Sequence, residues 1–131
     1  MTSARRGSAY GIVHLELHTD DADDAVDFLS GLLGWHTESV RPHSAASTYL
    51  SLGVGGRVGG GIVDCGQRPA QWVPYVVVER IDQVTSRADE MGATVLMPPR
   101  EGLVGCRSVV STPASGVIAL WEPHVRRGWR R

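Results

Sequence analysis

Three titratable side chains, those of His14, Glu16 and His18, stand at every second position of one short segment, with aliphatic residues between them. Because strand side chains alternate between two faces, this spacing predicts a strand with one ionisable and one apolar face. The apolar face should pack on a helix, so the ionisable face should point into a cavity. Histidine titrates near physiological pH and burial raises the pKa of a carboxylate. His14 and Glu16 are therefore candidate catalytic residues, one as base and one as orienting group, and a purely structural pair is the alternative.

The composition excludes several other kinds of chemistry. All 13 basic residues are Arg, so a Schiff-base lysine is ruled out. A net charge of -1 offers no basic field for nucleic acid. The longest apolar stretches are far shorter than the ~20 residues of a membrane helix, so no membrane partner is expected. The isolated Cys65 and Cys106 and the absence of an apolar N-terminal run favour a reduced, cytoplasmic setting, and Cys106 is disfavoured as a nucleophile.

Two further clusters have structural interpretations. Four acidic residues between Asp20 and Asp24 precede an apolar helical pattern, which is typical of a capped helix start and not of a cation site. The glycines at 59–61 lack a following Gly-Lys-Ser/Thr, so they are interpreted as a strand of low side-chain volume and not as a phosphate loop.

The same order of predicted strands and helices occurs twice in the sequence, and the two copies are about 58 residues apart. A strand at 12–18 and a helix ending at Leu33-Gly34 return as a strand at 73–79 and a helix at 81–91. Three strand candidates follow each helix, with turn residues such as Pro98-Pro99 between them. Those candidates are 35–40, 48–52 and 58–63 in the first half and 94–97, 104–111 and 116–121 in the second.

This order predicts one α+β domain at 10–123, made of two βαβββ modules at about 10–64 and 73–123. Residues 1–9 are predicted to be a flexible N-terminus. Residues 124–131 are predicted to be a basic C-terminal tail.

Three segments carry a resemblance to a known superfamily: IVHLELHTDDADDAVDFLSGLLGW, VPYVVVERIDQVTSRADEMGATVLMPP and CRSVVSTPASGVIALWEP. Their order resembles the glyoxalase, bleomycin-resistance and extradiol-dioxygenase superfamily, the vicinal-oxygen-chelate fold, and within it the small glyoxalase-like or hydroxylase-like proteins. The resemblance implies tandem βαβββ modules that form an eight-stranded curved sheet with a concave ligand cavity. It also implies a divalent metal held by four cavity-facing side chains.

The four metal positions map onto His14, the glycine strand at 59–61, Val73 and Ala119. A catalytic metal needs about three protein ligands, so one imidazole is insufficient. No metal and no cofactor are therefore expected. The alternative is a displaced site that uses Asp64, Glu16 or His18.

The same mapping gives candidate ligand-binding residues, which are His18, Tyr75, Val77, Arg107 and Trp121. The aromatic and aliphatic members would form a wall suited to a planar ligand, and ordinary core packing is the alternative for each. Arg107 could bind an acidic group of the ligand, with a cross-strand surface ion pair as the alternative.

Together these expectations favour metal-independent binding or tailoring of a hydrophobic, aromatic metabolite by proton transfer, cyclisation, isomerisation or hydration. The resemblance suggests secondary metabolism as the setting. One alternative is a metal-dependent glyoxalase or dioxygenase-type enzyme with relocated ligands, and another is a non-catalytic resistance protein that sequesters an antibiotic. A homodimer is expected, with Trp35, Trp72 or Trp129 at its interface.

Overall fold

A computed structural model of the protein describes residues 10–39, 48–102 and 104–124. These residues form eight strands and two helices. Their contacts divide them into two compact units, Val13–Pro74 and a second that runs from Tyr75 onward and includes residues 10–12. The predicted flexible N-terminus, and all of the predicted basic tail except His124, lie outside the described residues. No helix in the described part of the chain is both long and apolar enough to cross a membrane.

The first module has the predicted order of strand, helix and three strands. Its elements are β1 Ile12–Thr19, α1 Ala22–Leu33, β2 Thr37–Ser39, β3 Thr48–Leu52 and β4 Gly59–Asp64. The strand order is β2-β3-β4-β1, with β1 parallel to β4 and the other two pairs antiparallel.

The second module repeats this connectivity. Its elements are β5 Gln71–Val77, α2 Ile81–Glu90, β6 Thr94–Glu101, β7 Gly105–Thr112 and β8 Gly116–Pro123. The strand order is β5-β8-β7-β6, and β5 is parallel to β8 as β1 is to β4. The predicted α+β fold of tandem βαβββ modules is therefore confirmed.

Each module buries one face of its strands against its helix. In the first module Leu17, Leu29, Leu52 and Ile62 are core residues. The apolar helical pattern predicted after the acidic cluster is only partly buried in α1, because Phe28, Leu32 and Leu33 are exposed. In the second module the core cluster consists of Val78, Ile81, Val110 and Leu120.

The acidic cluster forms the start of α1, as interpreted. The Asp21 carboxylate accepts a hydrogen bond from the Asp24 backbone N–H at 3.0 Å, which satisfies one of the unpaired donors of the first turn. Asp20 forms an ion pair with Arg68. Gly34 ends the helix with a left-handed φ of 71°.

The predicted turn at Pro98-Pro99 is wrong, because both prolines lie inside β6. This strand ends the strand order of its module, and its register against β7 shifts between Val95 and Met97 and again between Met97 and Arg100. Proline lacks a backbone N–H and is tolerated in strands at edges and bulges. Both conditions apply here, so the strand continues through the two prolines.

We expect Asp21→Ala to lower the free energy of unfolding by about 1 kcal/mol, because the first turn of α1 loses its side-chain cap. Asp27→Ala removes an exposed carboxylate from the middle of the same helix and is the matched control. Urea unfolding curves measure both variants. Equal stabilities for the two would contradict the capping role of Asp21.

Candidate functional site

The ionisable face of β1 is organised around one buried carboxylate. Glu16 Oε1 lies 2.9 Å from His18 Nε2, and Glu16 Oε2 lies 3.3 Å from His14 Nε2. The Glu16 side chain is 8% exposed, whereas the two histidine side chains are 24% and 27% exposed. Leu17 points to the opposite face and packs in the core of the first module. The structure thus brings together the three residues that the alternating pattern singled out.

The glycines of β4 provide the space around this row. The parallel register places His14 opposite Gly59 and Glu16 opposite Gly61. A Cβ atom on Gly59 would lie 2.9 Å from His14 Nδ1, and one on Gly61 would overlap the hydroxyl of Tyr49. The low side-chain volume of this strand is therefore required by the side chains that lie over it.

Tyr49 is a member of the site that the sequence did not reveal. Its hydroxyl oxygen lies 3.2 Å from His14 Nε2. Burial, followed by the negative charge of Glu16, raises the pKa of Tyr49 to about 12, so the phenol keeps its proton at neutral pH. Tyr49 and His14 are 35 residues apart in the chain, and no local pattern links β3 to β1.

In the second module four of the predicted ligand-binding residues share the face that lies opposite its core. The strand registers pair Val77 and Arg107 with Trp121, and Tyr75 with Ala119. Arg107 Nη1 donates a hydrogen bond to the Tyr75 hydroxyl at 3.3 Å. The structure therefore groups these side chains on one face, and their role as ligand contacts stays a prediction.

Trp121 is held beside Arg107 by a second glycine. A Cβ atom on Gly105 would lie 2.7 Å from Trp121 Cη2, so the indole ring occupies the space of the missing side chain. The cross-strand neighbours of Arg107 are Arg100 and Trp121. Neither neighbour is acidic, so the register does not support the alternative of a cross-strand ion pair at Arg107.

Cys106 does not have the environment of a nucleophile. Burial first, then the carboxylates of Glu101, Asp82 and Glu122, raise the pKa of its thiol. The residue also packs against the core of the second module. The reactive thiolate is therefore disfavoured at neutral pH.

A cavity of about 510 Å³ lies on the helix side of the first module, away from the ionisable row. Several of its polar lining residues already have structural contacts, since Asp20 forms an ion pair with Arg68 and Asp21 caps α1. Its apolar lining includes Phe28, Leu29 and Trp72. The hydrogen-bonded titratable groups around the buried Glu16 lie on the opposite face of the strands.

The metal that the superfamily implies does not fit the residues at the expected positions. His14 is the only one of the four positions with a donor side chain, and its Nε2 already contacts Glu16 and Tyr49. Asp64 pairs with Thr19 in the register, which places it on the helix side of β4 and away from His14. Among residues 10–39, 48–102 and 104–124, no group of three or more His, Cys, Asp or Glu side chains is arranged to hold a metal ion.

We expect Gly61→Ala to destabilise the protein by about 1–3 kcal/mol, because the new methyl group overlaps the Tyr49 side chain. In a Tyr49→Ala background the same substitution should cost much less, since the overlapping ring is gone. Chemical denaturation of the four proteins of this double-mutant cycle measures the coupling. Gly31→Ala on α1, where nothing lies within 4 Å of the added Cβ, is the control; additive effects at 61 and 49 would contradict the contact.

The sequence is similar to several curated proteins, although no family model matches it. It is 26% identical over 130 residues to the anthracycline biosynthesis protein DnrV of Streptomyces peucetius, covering 86% of this chain and 47% of that protein. It is 24% identical over 114 residues to the putative glyoxylase CFP32 of Mycobacterium bovis, covering 82% of this chain and 44% of that protein. The chain thus spans about half the length of the curated relatives it matches.

The fold is similar to that of solved structures. The methylmalonyl-CoA epimerase of Mycobacterium tuberculosis superposes with a TM-score of 0.62 at 16% identity, over 88% of this chain and 89% of that one. This likeness concerns the fold, whose two βαβββ modules are those described above. The chain therefore has the vicinal-oxygen-chelate fold, and the resemblance of its sequence to that superfamily is confirmed.

Proposed function

We propose that this protein binds a hydrophobic, aromatic metabolite and tailors it by a metal-independent proton transfer. The observation that carries the proposal is the buried Glu16 carboxylate, hydrogen-bonded between the imidazoles of His14 and His18. A carboxylate–imidazole pair is a common general acid–base arrangement. The proposed proton transfer takes place at the row that contains His14 and Glu16, and it would serve an isomerisation, a cyclisation or a hydration.

The second module supports an aromatic ligand. Trp121, Tyr75 and Val77 offer flat and aliphatic surface, and Arg107 offers a guanidinium group for a phenolate or carboxylate. With His18 these are the proposed ligand contacts. The similarity to proteins named for anthracycline biosynthesis supports a polycyclic aromatic ligand and a setting in secondary metabolism. A cytoplasmic location and a homodimer belong to the same proposal.

A hydroxylated anthrone is a suitable probe, because it is a planar aromatic ketone with acidic carbon-bound hydrogens. We expect the protein to accelerate exchange of these hydrogens for deuterium, as followed by proton NMR in heavy water. Glu16→Gln should lower the exchange rate by roughly 10²–10⁴-fold with little change in affinity, because the carboxylate is lost while its shape remains.

Glu90→Gln makes the same chemical change on an exposed carboxylate of α2 and is the matched control. Affinity is measured by quenching of tryptophan fluorescence. If Glu16→Gln exchanged the probe as fast as the unmodified protein, proton transfer at this row would be refuted. Binding of the probe without any acceleration of exchange would favour the sequestering alternative.

We further expect purified protein to contain no stoichiometric divalent metal and to keep its exchange activity in EDTA, because three of the four expected ligand positions are Gly, Val and Ala. Elemental analysis and chelator treatment provide the measurements. About one zinc, iron or manganese ion per chain, together with activity lost in EDTA, would support the relocated-ligand alternative instead.

A further inference from the structure

We propose that the two groups which meet the ligand are Nδ1 of His18, as base, and the Tyr49 hydroxyl, as hydrogen-bond donor, with Glu16 as the positioning residue between the imidazoles. This inference rests on the proposed function, since it names the atoms of the same polar face that act. It follows from four side chains that form one hydrogen-bonded chain in the order His18, Glu16, His14, Tyr49.

The shared contact with Glu16 determines the tautomers of the two histidines. An ionised carboxylate can only accept hydrogen bonds. Both imidazoles approach Glu16 through Nε2, at 2.9 Å for His18 and 3.3 Å for His14. Each Nε2 must therefore carry a hydrogen, and in the neutral imidazole the lone pair then lies on Nδ1.

The contacts of the two imidazoles differ, and the difference favours His18 as the base. Its contact with Glu16, at 2.9 Å, is shorter than the 3.3 Å contact of His14, whose Nε2 also lies 3.2 Å from the Tyr49 hydroxyl. Both imidazoles are partly exposed, whereas the Glu16 side chain is buried. A proton accepted at Nδ1 makes His18 a cation. The carboxylate at Nε2 can form a charge-assisted hydrogen bond with this cation, so Glu16 orients His18 and faces its positive charge without meeting the ligand.

The tautomer of His14 determines the direction of the Tyr49 hydroxyl hydrogen. Because His14 Nε2 carries a hydrogen, it cannot accept one from the phenol at 3.2 Å. The Tyr49 oxygen is therefore the acceptor in this contact, and its own hydrogen is directed elsewhere. When Glu16 is ionised, the Tyr49 hydroxyl can therefore donate a hydrogen bond to a ligand. The pKa of about 12 keeps the phenol neutral for this purpose.

These two groups match a carbonyl compound with an acidic C–H bond that is conjugated with the carbonyl, as in the CH₂ group of an anthrone. His18 Nδ1 takes the proton as the C–H bond breaks, and the electron pair forms a C=C bond while negative charge develops on the carbonyl oxygen. Tyr49 stabilises this oxygen by a hydrogen bond without giving up its proton. Return of the proton from His18 to a carbon of the ligand completes an isomerisation with no net gain or loss of atoms or electrons.

The tautomers can be tested without a ligand, by NMR of protein labelled with ¹⁵N in histidine at alkaline pH, where imidazoles are neutral. We expect His14 and His18 both to carry the hydrogen on Nε2. Glu16→Gln should change the tautomer of at least one of them, because an amide can accept from one N–H but presents its NH₂ to the other. Glu90→Gln should change neither. An Nδ1–H tautomer at His18 in the unmodified protein would overturn the inference.

Exchange of the anthrone probe tests the roles. We expect His18→Gln to lower the exchange rate by roughly 10²–10⁴-fold and Tyr49→Phe by roughly 10²–10³-fold. Tyr49→Phe should leave both tautomers and probe affinity nearly unchanged. Full exchange activity in either variant would overturn the inference. Absence of exchange by the unmodified protein would instead refute the proposed function, while the tautomers would still be decided by the spectra.

Discussion

The parallel pairing of β1 with β4 is the constraint on which the first module depends. One face of this pair must bury Leu17 and Ile62 against α1, and alternation then fixes every side chain on the other face. The register that satisfies the core places Glu16 opposite Gly61. A shift of one residue would move the titratable row into the core, so burial of the apolar face also determines the position of the polar one.

The pattern of β1 could be predicted because it is local. A period of two is readable from residues 12–18 alone, and the repeat of strand, helix and glycine stop is readable from each half separately. Tyr49 could not be predicted in the same way, because its contact with His14 depends on the register of two strand pairs that are distant in sequence. Pro98-Pro99 misled for a related reason. A proline pair is typical of a turn, but the tolerance of β6 for proline comes from its position at the end of the strand order, which no local pattern shows.

The same hydrogen bonds that organise the row oppose a metal at Nε2 of either histidine, although they leave the lone pair of Nδ1 available. A histidine ligates a metal through a nitrogen lone pair, and a nitrogen that donates its hydrogen to a carboxylate has none to offer. His14 and His18 both direct Nε2 at Glu16, so a metal at these atoms would have to displace the carboxylate contacts and release protons. The larger obstacle is the absence of donor side chains in the glycine strand at 59–61, at Val73 and at Ala119, because a single imidazole at the four expected positions is insufficient to hold a divalent ion.

Both modules use a strand glycine to seat an aromatic side chain from a neighbouring strand. Gly61 of β4 accommodates Tyr49 of β3, and Gly105 of β7 accommodates Trp121 of β8. Glycine in a strand costs roughly 0.5–1 kcal/mol relative to alanine, and packing of the ring over the bare backbone offsets that cost. In the first module the seated ring brings a phenol to His14, and in the second it brings an indole beside Arg107. One repeated topology therefore presents a row of titratable side chains in one module and an aromatic, cationic face in the other, and in each module a strand glycine makes room for the aromatic ring.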